Sequence, residues 1–205
     1  MDRRHFLLGG LAAATGGAAA SADYQCQQLP NAIACSAGIP AMDFFYAQQA
    51  CPNWCWAASI QMCLAVQELR VDQRYIVSRA YPDLACNPAT TSQMNQVVNS
   101  TVWPGGRRTR ARIVRQWDRG VDANDPNSWV SQYLANRIPV IVAGLGHAMV
   151  ATRIDYRIDR YGRAQVDQIT VRDPYPYYPA RPSRQVLDRY QLDNVNYIMA
   201  VTRLN

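Results

Sequence analysis

The sequence predicts an α+β fold, and three observations carry that expectation. Segments with helical periodicity cluster between about residues 55 and 100, with one more near 125–136. Runs of β-type residues cluster after residue 138. Over 205 residues the composition is 49% apolar and 18% charged, a globular balance, and no apolar run reaches the length of a membrane-spanning helix. The length allows one domain, or two small lobes, around a sizeable core.

Residues 1–22 read as a targeting segment. Arg3-Arg4 precedes a weakly apolar, Gly- and Ala-rich stretch over 6–20, and Ala20-Ser-Ala22 puts small residues at the two positions a signal peptidase reads. This is the layout of a secretory signal with a twin-arginine address. The expected mature domain is then 23–205, helical over about 45–105 and sheet over about 106–205, exported to the periplasm or the medium. All six cysteines, at positions 26, 35, 51, 55, 63 and 86, follow the segment, and an oxidising compartment favours their pairing.

The charge inventory excludes several chemistries. The formal net charge is +6, and losing Asp2, Arg3 and Arg4 with the leader would remove one positive charge. A mildly basic chain falls short of a nucleic-acid-binding tail. All 21 positive residues are arginine, which excludes a Schiff-base or phosphate-loop lysine. Histidine occurs only at His5 and His147. A processed chain therefore has one imidazole, which excludes two-histidine sites, and with no carboxylate-rich run beside it neither a metal nor a cofactor is expected.

Residues 49–66 read Gln-Ala-Cys-Pro-Asn-Trp-Cys-Trp-Ala-Ala-Ser-Ile-Gln-Met-Cys-Leu-Ala-Val. Pro52 and Asn53 are turn and cap types. Cys55, Trp56, Ile60, Cys63 and Leu64 then suit a largely buried helix ending near residues 69–71. Cys55 falls in its first turn, where free N–H groups and the positive end of the helix dipole stabilise a thiolate. That environment suits a nucleophile; the plainer reading is a buried helix-end cysteine, as expected of Cys63. Gln49, six residues upstream, reaches the same helix start, and its amide together with the Cys55 N–H would form an oxyanion hole. Gln48 offers the same group one residue earlier.

A second helix, 72–81, starts at Asp72, and a third, 90–100, is capped near Thr91 or Ser92. Arg107, Arg108, Arg110, Arg112, Arg115 and Arg119 follow. Arg108, Arg110 and Arg112 share one face if extended. The run reads first as a solvated face and second as a subsite for acidic substrate residues or an anionic envelope contact. A fourth helix, 125–136, takes Asp125 or Asn127 as cap and turns Trp129, Tyr133 and Leu134 inward. Strands are expected at 138–144, 147–158, 164–172 and 195–203. His147 opens the second, after a break at Gly144 and Gly146. The third ends at Asp173, ahead of a Pro-restricted aromatic segment, 175–179, placed to wall a cleft or to pack over the sheet edge.

In these residues the sequence resembles the papain-like cysteine peptidases. Their signature has a glutamine six residues before the nucleophile and Trp-Ala after it, here Gln49 and Cys55-Trp56-Ala57, with Ser59 also in register. The run Asn53-Trp-Cys-Trp-Ala-Ala58 looks most like the bacterial branch that includes secreted plant-pathogen effector proteases. The family pattern continues with a strand-borne histidine, a hairpin and a polar residue at the end of the next strand, here His147 and Asp173. The resemblance covers roughly 49–65 and 138–176. It implies an N-terminal helical lobe packed on a C-terminal antiparallel sheet or half-barrel. It also implies Cys55 as nucleophile, His147 as general base, Asp173 as its orienting acid, Gln49 as oxyanion residue, and Trp54, Trp56 and Gly146 at the substrate.

Two positions depart from papain. Papain has asparagine where Asp173 stands, although bacterial relatives and bacteriocin-processing peptidases often have aspartate; a carboxylate fixes the histidine tautomer equally well. Papain's disulfide cysteine is three residues before the nucleophile, whereas Cys51 is four before. The resemblance implies a Cys51–Cys86 bridge, with Cys26–Cys35 closing a short loop; Cys63–Cys86 is the alternative. Cys63 lies roughly 12 Å along the helix axis from Cys55, too far to pair with it, and is expected buried and free. The expected function is hydrolysis of a protein or peptide substrate, with neither nucleic acid nor a membrane-embedded segment in the mature form. The competing functions are another Cys-His-acid acyl transferase or amidase, of transglutaminase or cell-wall type, and a non-catalytic, disulfide-stapled binding module. The Gln-to-Cys spacing and Trp56 favour the peptidase.

Overall fold

A hairpin, a helical segment and a long antiparallel meander follow one another along the chain. The computed structural model describes residues 23–100, 102–104, 109–122, 126–175 and 184–204. The leader, Arg107, Arg108, Asp125 and residues 176–183 lie outside the described residues. The elements are β1 (Asp23–Gln28), β2 (Ala32–Gly38), α1 (Cys55–Ala65), α2 (Gln73–Ser78), α3 (Thr91–Ser100), β3 (Val102–Trp103) and β4 (Thr109–Asp118). There follow α4 (Asn127–Ala135), β5 (Val140–Gly144), β6 (His147–Asp159), β7 (Ala164–Arg172), β8 (Arg184–Val186), α5 (Arg189–Asp193) and β9 (Val195–Leu204).

The strands form one antiparallel sheet with the order β1-β2-β6-β5-β9-β4-β3, and β7 and β8 continue from β6. Its hub is β6. One edge of this strand pairs with β7, and the other is divided between β5, opposite 147–151, and β2, opposite 153–159. Residues 148–152 are all buried, so both faces of β6 are covered there, as in a central strand. Helix α1 packs against β6, β9 and β5, and α4 packs against β2, β6, β7 and β5.

Cysteine, tryptophan, isoleucine and serine are indifferent helix formers, so α1 depends on its packing. All of its residues except Gln61 and Ala65 are buried. Trp56, Ile60, Met62 and Leu64 are almost completely enclosed, each contributing about 1.5–3 kcal/mol by leaving water. Gln67 ties the far end of α1 to β9: its Nε2 donates to the carbonyls of Cys63 and Val201, and its Oε1 accepts from the Arg203 N–H.

Several elements differ from expectation. Helix α1 ends at Ala65, not near 69–71, because Glu68 takes a left-handed φ of 64° and the chain folds back, the Leu69 N–H donating to Leu64 O. Leu69 and Val71 are buried after that reversal, which is why they looked like its continuation. Helix α2 stops at Ser78. The cap of α3 is Thr90, one residue earlier than expected: Thr90 Oγ1 accepts from the Gln93 N–H while Gln93 Oε1 accepts from the Thr90 N–H, a reciprocal capping box. Asn127 is the first residue of α4, not its cap. Val130 and Leu134 make the fully buried face of α4, with Trp129 and Tyr133 half-buried. The division at about residue 105 omits β1 and β2, which precede the helices yet belong to the sheet.

Candidate active site

The first turn of α1 begins at Cys55, and Trp54 before it supplies no side-chain cap. Asn53, expected as a cap, instead donates from Nδ2 to Cys86 O. Trp54 Nε1 and Trp56 Nε1 donate to Ala85 O and Asn87 O, and Cys51 is disulfide-bonded to Cys86. The helix start is thus stapled to residues 85–87, covalently and by three side-chain hydrogen bonds. Cys26 and Cys35 form the second disulfide across the β1–β2 pair, and Cys55 and Cys63 are free and buried.

His147 is the first residue of β6. It follows a two-residue turn, Leu145–Gly146, with φ values of 55° and 76°, the doubly left-handed turn that matches strand twist in tight hairpins. Gly144, the residue paired with His147, is packed so tightly that a Cβ there would lie 2.3 Å from Asn194 O. One turn along α1 from Cys55, the buried Ser59 donates to Ala148 O at 3.1 Å. That bond sets the register between helix and strand, so Cys55 and His147, the neighbours of its two ends, meet.

Asp173 follows β7 and is 1% exposed. Its Oδ1 accepts from His147 Nε2 at 2.6 Å and from the Tyr175 N–H at 2.8 Å. Its Oδ2 accepts from Gln185 Nε2 at 2.7 Å. With Nε2 engaged, the other ring nitrogen of His147 is left for the Cys55 thiol, which lines the same cleft. The Tyr175 ring stands edge-on to the imidazole, centroids 6.2 Å apart.

The electrostatics of the pair oppose its burial and prevail. Burial pushes the Cys55 thiol up, but the hydrogen bond with His147, the backbone groups of Ala148 and Trp56 and the charge of the imidazolium carry it below its ordinary value. Burial pulls His147 down, while hydrogen bonds and charge from Asp173 and Cys55 raise it to about 9. Both shifts favour a thiolate beside an imidazolium. Cys63 has no such partners, and burial alone pushes its thiol far up.

Cys55 and His147 open into a cleft of about 380 Å³ whose lining also includes Leu145, Gly146, Met149 and Tyr175. The space above Gly146 is clear, with nothing within 4 Å of where a Cβ would stand. Trp54 and Trp56, expected at the substrate, do not line this cleft; both are buried in the core and hold the 85–87 segment. Gln49 is buried at the same helix start, with Nε2 donating to Pro52 O at 2.6 Å and Cys51 O at 3.2 Å and its own N–H donating to Pro174 O. Gln48 is exposed, and its carbonyl accepts from Gln73. Asp155, Asp159 and Asp167, the acids within β6 and β7, pair with Arg153, Arg163 and Arg157 respectively. A bulge at Ile113/Arg115 brings Arg110, Arg112 and Arg115 onto one exposed face of β4, and none of them lines the cleft.

Gln185, Ser59 in its bonding role and Gln73, which holds the 48–50 segment through Ala50 N and Gln48 O, were not singled out by residue type or spacing. For Ser59 the usable signal was its register to Cys55; an isolated glutamine in a short polar strand carries none.

The Peptidase_C39 like family matches residues 42–198, a span that includes every residue of this site. No curated protein sequence matches the chain. Among solved structures, UfSP from C. elegans is similar over 84% of this chain with a TM-score of 0.52 at 10% identity, a likeness of fold. This chain spans 33% of that protein's length. The fold is the papain-like α+β arrangement. No helix among the described residues is long and apolar enough to cross a membrane.

Proposed function

The chain belongs to the Peptidase_C39 like family and is a cysteine-type peptidase, and we propose that it cleaves peptide bonds with Cys55, His147 and Asp173 as its catalytic triad. The observation that carries the reading is a single imidazole held between a buried carboxylate, 2.6 Å from Nε2, and a thiol at a helix start. The Cys55 thiolate attacks the scissile carbonyl carbon, and the imidazolium then delivers its proton to the leaving amine. Water, deprotonated by His147, hydrolyses the resulting thioester and restores the thiolate.

The developing oxyanion takes the Cys55 N–H as one donor. Gln49 supplies the second by exchanging its longer hydrogen bond, 3.2 Å to Cys51 O, for the more strongly accepting oxyanion. Gly146 leaves room for the substrate backbone beside His147. The substrate is a protein or peptide. Export accompanies this reading: the layout of residues 1–22 and the bridges Cys26–Cys35 and Cys51–Cys86 suit an oxidising compartment.

Labelling the native protein with an epoxide inhibitor, followed by peptide mass spectrometry, tests the assignment. The label is expected on Cys55 alone, with labelling and hydrolysis both abolished by Cys55→Ser. A label on Cys63, or substantial turnover by Cys55→Ser, contradicts it.

A further inference from the structure

We propose that Gln185 is a positioning residue of the reaction, holding the Asp173 carboxylate at the one rotation that presents Oδ1 to His147. This rests on the triad reading above. A carboxylate turns easily about its last bond, and a buried one must have both oxygens satisfied. Oδ1 of Asp173 accepts from His147 and from the Tyr175 N–H, and Gln185 Nε2 donates to Oδ2 at 2.7 Å. The sense of the amide follows from the chemistry: turned over, it would set a carbonyl oxygen against a carboxylate.

Gln185 is itself firmly placed. It is the middle residue of β8, directly opposite Val171 of β7. On one side Arg184 donates to Asp43, which also accepts from Arg172 of β7. On the other, Leu187 is buried and its N–H donates to Ile169 O. The strand is therefore clamped before and after Gln185. Gln185 is not part of the cleft lining, so it acts through Asp173 and touches no substrate.

Two substitutions, measured on a peptide substrate beside wild type and Asp173→Ala, test the role. Gln185→Met keeps the length and loses the donor. It should lower kcat about 10- to 100-fold, the scale of one hydrogen bond to a charged group, and leave KM unchanged. Gln185→Glu should work when protonated, its O–H donating to Oδ2, and fail once ionised, because two carboxylates then face each other. Its activity should therefore approach wild type in acid and be lost as pH rises, with the basic limb well below that of wild type. Wild-type kcat and pH profile in both variants, with Asp173→Ala impaired, would overturn the proposal and leave the triad standing. Loss of activity at every pH in both variants, with lowered melting temperatures, would make Gln185 a scaffold residue and also overturn it. Wild-type activity in Asp173→Ala would defeat the triad reading itself.

Discussion

Asp173 offers the sharpest perturbation, because alanine and asparagine there remove different things. The His147 pKa is raised from 6.5 to about 9, a preference for the imidazolium of about 3 kcal/mol at 1.36 kcal/mol per pKa unit. It is shared between Asp173 and Cys55, and the Asp173 hydrogen bond is the leading contribution that raises it. Asp173→Ala removes that contribution and the anchor on Nε2. We expect kcat to fall about 10³- to 10⁴-fold and the basic limb to move from near 9 towards 6.5. Asp173→Asn can keep a carbonyl oxygen in the Oδ1 position, where the Tyr175 N–H and His147 Nε2 require an acceptor. Its amide nitrogen then faces Gln185 Nε2, donor against donor, and Gln185 must turn its own amide over to accept. That exchange is worth one altered hydrogen bond, so a loss of about 10- to 100-fold is expected. The assay is kcat and KM against pH on a fluorogenic peptide, with circular dichroism to confirm folding. Equal losses in the two variants, or wild-type turnover in both while His147→Ala is inactive, would refute the reasoning.

Gln49→Ala should reduce turnover about 10²- to 10³-fold with little change in KM, the range for one oxyanion donor; single-turnover kinetics would locate the loss in acylation. The pH profile of the wild type should be a bell. The thiolate–imidazolium pair forms as pH rises through the lowered thiol pKa and is lost as pH passes about 9, where the raised His147 pKa lies. The stability that His147 gains from its partners is likewise complete below its ordinary 6.5 and disappears as pH rises through about 9, which melting temperatures at pH 6 and pH 10 would register. Gly144→Ala puts a methyl group against the Asn194 carbonyl, 2.3 Å away. Backbone must move, so we expect a loss of about 1–3 kcal/mol in denaturant unfolding together with reduced activity, because Gly144 is the strand partner of His147.

What could be read from the sequence was whatever local chemistry and burial agree on. Strands β6 and β7 are rich in β-branched and apolar residues and are bounded by glycine turns, so their limits fall close to those expected, and the His147–Asp173 meeting follows from their being neighbours. Strand β1, Asp-Tyr-Gln-Cys-Gln-Gln, has no apolar face, and β2 is built of alanine, serine and glycine around Ile33 and Cys35. Neither has β propensity of its own; β2 is a strand because β6 offers it an edge, and β1 because β2 and the Cys26–Cys35 bond hold it. Trp54 and Trp56 flank Cys55 in sequence but turn to the 85–87 segment instead: Trp56 because neighbours on a helix diverge by 100°, Trp54 because it precedes the helix and donates to Ala85 O. Gln185 was invisible because its importance lies wholly in what it meets.

The branching of the sheet at β6 also orders events in time. β1 and β2 are made first, but the partner of β2, residues 153–159, emerges more than a hundred residues later, and β9, which joins β5 to β4, comes last. Such long-range pairing folds slowly, since loop closure is needed before contacts form. His147 and Ala148, the groups of β6 that lower the Cys55 thiol, stand at its start. A chain that carries α1 but lacks β6 therefore holds a cysteine with only the helix-start contribution of Trp56 and without its imidazole partner. The docking of β6 brings those groups to the thiol, while the sheet itself stays open between β5 and β4 until β9 is added.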